Sequence, residues 1–256
     1  MELLTAAAIL IIGLVVGFLG GMFGIGGAVV AIPLMRILLG FSGAEAIATA
    51  LPITIPTALS GSVHYAKHKL IKYKTVAVGG LVGIVFSVAG ALLTQYFSGE
   101  ILMLLVGGFL LVMAVVISQE KGDEEPVDIA STEKKLALTG AVGGVAGFIS
   151  GFLGIGGGAL LVPLLMKVRR IPLKKAVPTS LAMIAIYAIP GALTHYFMGN
   201  IDLAVVAVLV VGCIIGANVG ARMATKIDEK KHRQLLATLL VLLGLILIFN
   251  ELVRQK

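Results

Sequence analysis

The sequence predicts an all-α polytopic membrane protein made of two repeats with inverted topology. Three observations carry that prediction. The chain has 256 residues, of which 59% are hydrophobic and only 13% charged, and its mean hydropathy is +1.08. Globular domains run nearer half apolar and a quarter charged. A glycine-rich stretch, GFLGGMFGIGGAVVAIPLM at 17–35, recurs at 147–165 as GFISGFLGIGGGALLVPLL. Finally, the basic residues collect at opposite loops of the two halves, which bears on orientation.

Several apolar runs, Leu3–Gly20, Val76–Phe97, Ile101–Ser118 and Leu203–Gly220 among them, have the roughly 18 residues that cross a hydrocarbon core of about 30 Å. The N-terminus is not expected to be a cleaved signal, since it has no basic region ahead of its apolar run. The single cysteine, Cys213, lies inside an apolar run, so no intramolecular disulfide can form and the redox compartment stays open. The net charge is +7, but the basic residues sit at the ends of apolar runs. They read as topology signals for a lipid bilayer, not as a nucleic-acid surface.

The two glycine stretches align without gaps at an offset of 130, with nine of nineteen positions identical. The same offset sets AIATAL at 46–51 against AVPTSL at 176–181. One residue out of that register, His64-Tyr65 meets His195-Tyr196. The expected units are a first transmembrane repeat (1–118), a polar linker (119–135) and a second repeat (136–256). Each repeat holds five apolar segments, at 3–20, 28–39, 44–66, 73–97 and 101–118, then at 136–153, 158–166, 175–198, 203–224 and 234–253. The second segment of each set is short: twelve helical residues reach only about 18 Å.

In the first half Lys67, Lys69, Lys72 and Lys74 lie between the third and fourth segments. In the second half that loop has no Lys or Arg, and the basic residues flank it on both sides, at Lys167–Lys175 and Arg222–Arg233. An odd number of crossings per half puts 17 of the 20 Lys and Arg on the cytoplasmic side, leaving Arg36, Arg254 and Lys256 outside. Five crossings, or three plus a re-entrant hairpin, both satisfy this. The linker is then cytoplasmic, both termini lie outside, and the plasma membrane is the expected location.

Inverted repeats with matching helix breaks place a transporter's substrate near the bilayer midplane. Irregular backbone survives at that depth only inside protein or beside a wet cavity. Each GIGG break leaves a short helix that begins at about Ala28 or Gly158. Its first N–H groups lack intrahelical partners and carry the positive end of the helix dipole, and such a terminus suits an anion. The candidate cradle is Gly24, Gly26, Gly27 and Ala28 with Gly154, Gly156, Gly157 and Gly158. The competing reading is that these glycines only let helices pack closely. Gly212, Gly216 and Gly220, and Gly79, Gly83, Ser87 and Ala91, read as packing. GIGGGA at 154–159 formally matches a dinucleotide fingerprint, but no strand precedes it and no acidic residue follows at the required distance.

Thr49 and Thr179, with Ser180, sit in the first turns of the third segments. They either join the anion site or bond back to their own helix. Asn218 is a candidate for lining a cavity, and His64 and His195 for gating or carrying protons. All 13 Asp and Glu lie in loops, in the linker or at segment ends. No cofactor, metal site or catalytic constellation is expected. Cation-coupled carriers usually hold carboxylates within the membrane. Moving a dianion outward against an interior-negative potential of 100 mV gains about 4.6 kcal/mol, so export needs no coupling ion.

The second half carries GIGGGALLVPLL, AVPTSL, GALTHYFMGNIDL and GANVGARMATKI. On these segments the chain resembles the TauE/SafE sulfite-exporter family, also called the toluenesulfonate uptake permeases. The resemblance implies a transporter of sulfur-containing anions such as sulfite, sulfoacetate and related sulfonates. The first half departs from it where Ala50 replaces the equivalent of Ser180, and where Pro52 and Pro56 are extra. A passive anion channel and a non-transporting assembly factor are the alternatives. A homo-oligomer is left open.

Overall fold

The computed structural model describes residues 3–119 and 132–254. Most of the linker, and residues 1, 2, 255 and 256, lie outside the described residues, so the expectations that fall on them are not addressed. The described chain is ten helices: α1 (Leu3–Phe23), α2 (Ala28–Leu38), α3 (Gly43–Lys67), α4 (Tyr73–Thr94), α5 (Gly99–Ser118), α6 (Thr132–Leu153), α7 (Gly158–Lys167), α8 (Leu173–Phe197), α9 (Leu203–Ala224) and α10 (Glu229–Arg254). Eight of them are long and apolar enough to cross a membrane, while α2 and α7 are not. At 11 residues α2 is about 16 Å long.

The apolar segments foretell these helices closely except where a helix continues through polar residues. α6 begins at Thr132 and α10 at Glu229, several residues before the apolar runs at 136 and 234. Ahead of α10, the Asp228 carboxylate accepts from the Lys230 and Lys231 N–H groups at 3.1 and 3.5 Å. That cap satisfies donors a helix start leaves open, and hydropathy does not register it.

Helix directions follow from pairs of contacts. α1 runs parallel to α9, with Gly13 against Leu209, Gly17 against Cys213 and Gly21 against Ala217. α3 is also parallel to α9, since Thr49 bonds Asp202 and Ser60 bonds Ile214. α3 and α8 are antiparallel, with Gly61 beside Leu181 and Gly191 beside Leu51. α1 and α3 therefore start on one face, and α2 must return the chain to it. Gly27 sits back against Val16 of α1, as a hairpin requires. The chain thus folds as a re-entrant α1–α2 hairpin and three long helices, followed by a second such set.

The tightest seams use small residues. Along α4 and α6, Gly143, Gly147 and Gly151 face the backbone of Gly79, Gly83 and Ser87, and a methyl group at any of the three would collide with that backbone. Gly212, Gly216 and Gly220 meet α1 in the same way. Close backbone approach is the established use of small residues between membrane helices. Gly17, Gly21, Gly147 and Gly151, the early glycines of the repeated motif, belong to these seams. Gly147→Leu is therefore expected to leave no monodisperse protein on size exclusion in detergent. Gly108→Leu, at a position with nothing within 4 Å, should be tolerated.

Candidate functional site

The later glycines of each motif behave differently. Gly24, Gly26 and Gly27 have φ of 74°, 78° and 88°, and Gly154, Gly156 and Gly157 have 66°, 71° and 71°. L-residues with side chains rarely occupy this region. Three such residues within four positions end α1 and α6 sharply and turn the chain into α2 and α7. Gly27 and Gly157 are the N-cap positions, and neither helix has a side-chain cap. By contrast α3 has a full capping box from Ser42 and Glu45, and α9 is capped by Asp202. The α2 ladder opens with Val30 and Ala31 donating to the Gly27 carbonyl, and the α7 ladder with Leu160 and Leu161 donating to Gly157. The N–H groups of Ala28, Val29, Gly158 and Ala159 therefore have no acceptor inside their own helices.

The fold brings the two loops together in the buried interior. Gly158 lies against the backbone of Gly24 and Ile25. A Cβ at Gly26 would stand 2.6 Å from the Thr54 methyl, and one at Gly156 would stand 2.8 Å from the same methyl. Thr54, midway along α3, is thus the common neighbour of both breaks, and its hydroxyl donates to Ala50 O at 3.1 Å. Two positive helix ends meet here, and the nearest neighbours of the loop glycines are apolar or hydroxyl side chains and backbone.

Each loop is held by the other half. Gly24 packs on Val177 of α8, and Gly154 packs on Ile47 of α3, positions 130 apart. Ser180 Oγ donates to Gly24 O at 2.8 Å. Its counterpart, Ala50, has no hydroxyl to offer Gly154. Tyr187 donates to Gly156 O at 2.9 Å, where the first half has Thr57, whose hydroxyl goes to Ile53 O. The two loops share a backbone path and differ in their fastening.

Thr49 and Thr179 are used in a matched way. Thr179 Oγ1 accepts from Lys72 N at 3.1 Å, and Thr49 Oγ1 accepts from Asp202 N at 3.3 Å. Both acceptors tie down the residue that precedes a helix of the other half, α4 or α9. Thr179 also bonds back to Lys175 O, so its hydroxyl proton is committed. Asn218 is half-buried on α9, its Nδ2 3.5 Å from Ser60 Oγ, and joins α9 to α3 rather than facing the loops.

The histidine register needs correction. His195 Nε2 lies 3.0 Å from Gly151 O, and the group 130 positions earlier, Tyr65, donates to Gly21 O at 3.3 Å. Tyr65, not His64, is the counterpart of His195. The side-chain contact keeps the 130 offset, which the visible His-Tyr dipeptides had pulled one residue out. His195 is buried, with Nδ1 unpartnered. His64 stands beside His68, with ring centroids 4.9 Å apart.

Beside the Gly24 loop is a cavity of about 60 Å³, lined by Tyr65, Val177, Thr225, Glu229 and His232 among others. That is room for a few waters. His232 is buried, and its ring lies 5.2 Å from Phe23 at the end of α1. In sequence it is one of several polar residues between two segments, and nothing there singles it out.

The largest surprise is Glu251. The expectation that acidic residues keep to loops and segment ends holds for its position but not for its environment. Glu251 is 0% exposed, and it pairs with Arg36 of α2 through Nε–Oε1 at 2.5 Å and Nη2–Oε2 at 2.8 Å. Segment ends can be buried when a re-entrant hairpin packs beside them, as α2 does beside α10. Among the described residues, no group of three or more His, Cys, Asp or Glu could hold a metal ion.

Residues 9–247 match the family described as Sulfite exporter TauE/SafE. The chain is 28% identical over 96% of its length to a probable membrane transporter protein of Methanocaldococcus jannaschii, 96% of which is covered. It is 27% identical to the probable membrane transporter protein YunE of Bacillus subtilis, over 94% of this chain and 97% of YunE. It is 24% identical to the probable membrane transporter protein YfcA of Escherichia coli, over 97% of this chain and 91% of YfcA. No solved structure matches. A match over nearly the whole chain, on eight apolar helices, makes this a multi-pass membrane protein that belongs to the sulfite exporter TauE/SafE family of membrane transporters.

Proposed function

We propose that this chain exports small sulfur-containing anions, sulfite or sulfonates such as sulfoacetate, by alternating access around the two glycine loops. The observation that carries the reading is the pair of buried, uncapped helix N-termini at Ala28 and Gly158, brought together among apolar and hydroxyl side chains. An anion between them would accept the orphan N–H groups and relieve the opposition of two positive dipole ends. The sulfur comes from the family's description. In this structure the loops are packed on each other, so binding requires them to part. The symmetry supports such a motion. α3 and its counterpart α8 are antiparallel, as repeats related by an axis in the membrane plane would be. Given positive-inside bias, the Lys67–Lys74, Lys167–Lys175 and Arg222–Arg233 loops face the cytoplasm of a cell membrane, and the α2–α3 and α8–α9 loops face outward.

The test is thermal unfolding of the purified protein in detergent against sulfite, sulfate, thiosulfate, sulfoacetate, taurine, phosphate, acetate, Na⁺ and divalent metals at fixed ionic strength. A ligand at a hundred times its Kd stabilises by about 2.7 kcal/mol. Stabilisation by sulfur oxyanions or sulfonates is the expected result. Stabilisation by cations alone, or by nothing, would sink the reading and return the glycines to packing.

A further inference from the structure

The guanidinium of Arg36 is almost fully buried, yet Arg36 lines an open hollow of about 660 Å³ with Ser98, Glu100, Ile101 and Arg254. Its contacts are well defined. Nε and Nη2 hold the Glu251 carboxylate, and Nη1 donates to Phe41 O at 2.7 Å. Those bonds use three of five N–H donors. One donor on each terminal nitrogen is left for a further acceptor. Arg254 braces the same helix end, its Nη2 donating to Arg36 O at 3.3 Å. Glu251 meets Arg36 of α2, and the other charged groups around Arg36 are Glu100 of α5, which lines the hollow, and Arg254 on α10 itself. The position equivalent to Arg36 in the second half is Met166, so the pair is not repeated at that position.

We propose that Arg36 is a second anion-binding residue, on the face where α10 ends, and that Glu251 is the internal anion which the substrate replaces there. This rests on the anion-transport reading above. A small oxyanion in the hollow takes the guanidinium edge that Glu251 occupies. The released carboxylate, fully buried and unpaired, takes up one proton, because an uncompensated buried charge neutralises itself. When the anion departs, Glu251 gives that proton back to solvent and returns to Arg36. Charge within the site is unchanged at both stages: cation with internal anion, then cation with substrate and a neutral acid. The exchange answers a practical difficulty, because a lone buried arginine would hold an anion too firmly to release it.

Binding and protonation are therefore linked. The affinity for an anion that does not itself titrate should rise as pH falls, by up to tenfold per unit. The probe is methanesulfonate, with binding to the full-length protein in detergent followed by equilibrium dialysis between pH 6 and 8. Proton uptake is read by a pH dye in weak buffer. Wild type is expected to bind with that slope and to take up as much as one proton per anion. Glu251→Gln should bind more tightly at pH 8 than wild type, with no slope and no uptake. Wild-type binding without slope or uptake would overturn the exchange while leaving anion transport standing. No binding at all would overturn both. An Arg36→Met, Glu251→Leu double variant that keeps the wild-type slope would show that the pair is only a structural tie. Should Glu251→Gln fail to fold, the wild-type slope and uptake still decide the matter.

Discussion

Replacing Gly26 or Gly156 by alanine is expected to abolish anion flux into or out of proteoliposomes while the protein still inserts and purifies. Two separate physical effects act at each position. An L-residue held at φ of 78° or 71° is disfavoured by about 1–2 kcal/mol. The new methyl would also stand 2.6 or 2.8 Å from the Thr54 methyl, closer than carbon atoms tolerate. Relief comes by moving the loop backbone, and that backbone carries the N–H groups proposed to hold the anion. A shift of about 1 Å can lower a rate a hundredfold when geometry sets it. Crowding and geometry can be separated. Thr54→Ser keeps the hydroxyl that bonds Ala50 and removes the methyl that both alanines would meet. Gly26→Ala with Thr54→Ser should fold as stably as Thr54→Ser to within about 2 kcal/mol, yet stay inactive. Recovery of flux in that double variant would mean that space, not backbone direction, was the requirement.

Much of this architecture can be read in the sequence, for a physical reason. Lipid leaves the backbone only helices or closed barrels to cross with, and apolar runs of this length suit helices, so apolar length fixes where they lie. Short α2 and α7, and their start at Ala28 and Gly158, follow from the glycines alone. The 130 offset survives into side-chain detail, in Thr49 and Thr179 tethering Asp202 and Lys72, themselves 130 apart. What the sequence conceals is everything that depends on which neighbour a side chain meets. Thr54 is one hydroxyl in an apolar stretch, and only the convergence of two loops on its methyl gives it importance. Tyr65 and His195 share a role with different chemistry, so pattern matching prefers the wrong dipeptide. Glu251 sits near the end of its segment, where solvent is the natural assumption, and its partner lies 215 residues away. The odd-numbered crossing rule allows five spans or three with a hairpin, and the Gly27–Val16 contact is what selects the hairpin here.

Severing the Arg36–Glu251 pair on one side only is expected to lower stability sharply. Glu251 is 0% exposed and Arg36 7%, so each charge is largely shielded from bulk water when the other is removed. Breaking a buried pair by deleting one partner typically destabilises by about 3–5 kcal/mol, because an uncompensated charge is left behind. Glu251→Leu strands the guanidinium with Phe41 O as its one remaining side-chain bond. Arg36→Met strands the carboxylate in the same way. The double variant Arg36→Met with Glu251→Leu removes both charges and fills the space with apolar atoms. Such replacements are often neutral or stabilising by about 1–4 kcal/mol. Thermal unfolding in detergent should therefore rank the double variant with or above wild type, and both single variants well below it. If the double variant were as unstable as the singles, the pair would matter through the Phe41 and Arg254 contacts that fix the end of α2. If it were stable but anion flux had lost its response to pH, then stability is not what the ion pair is kept for.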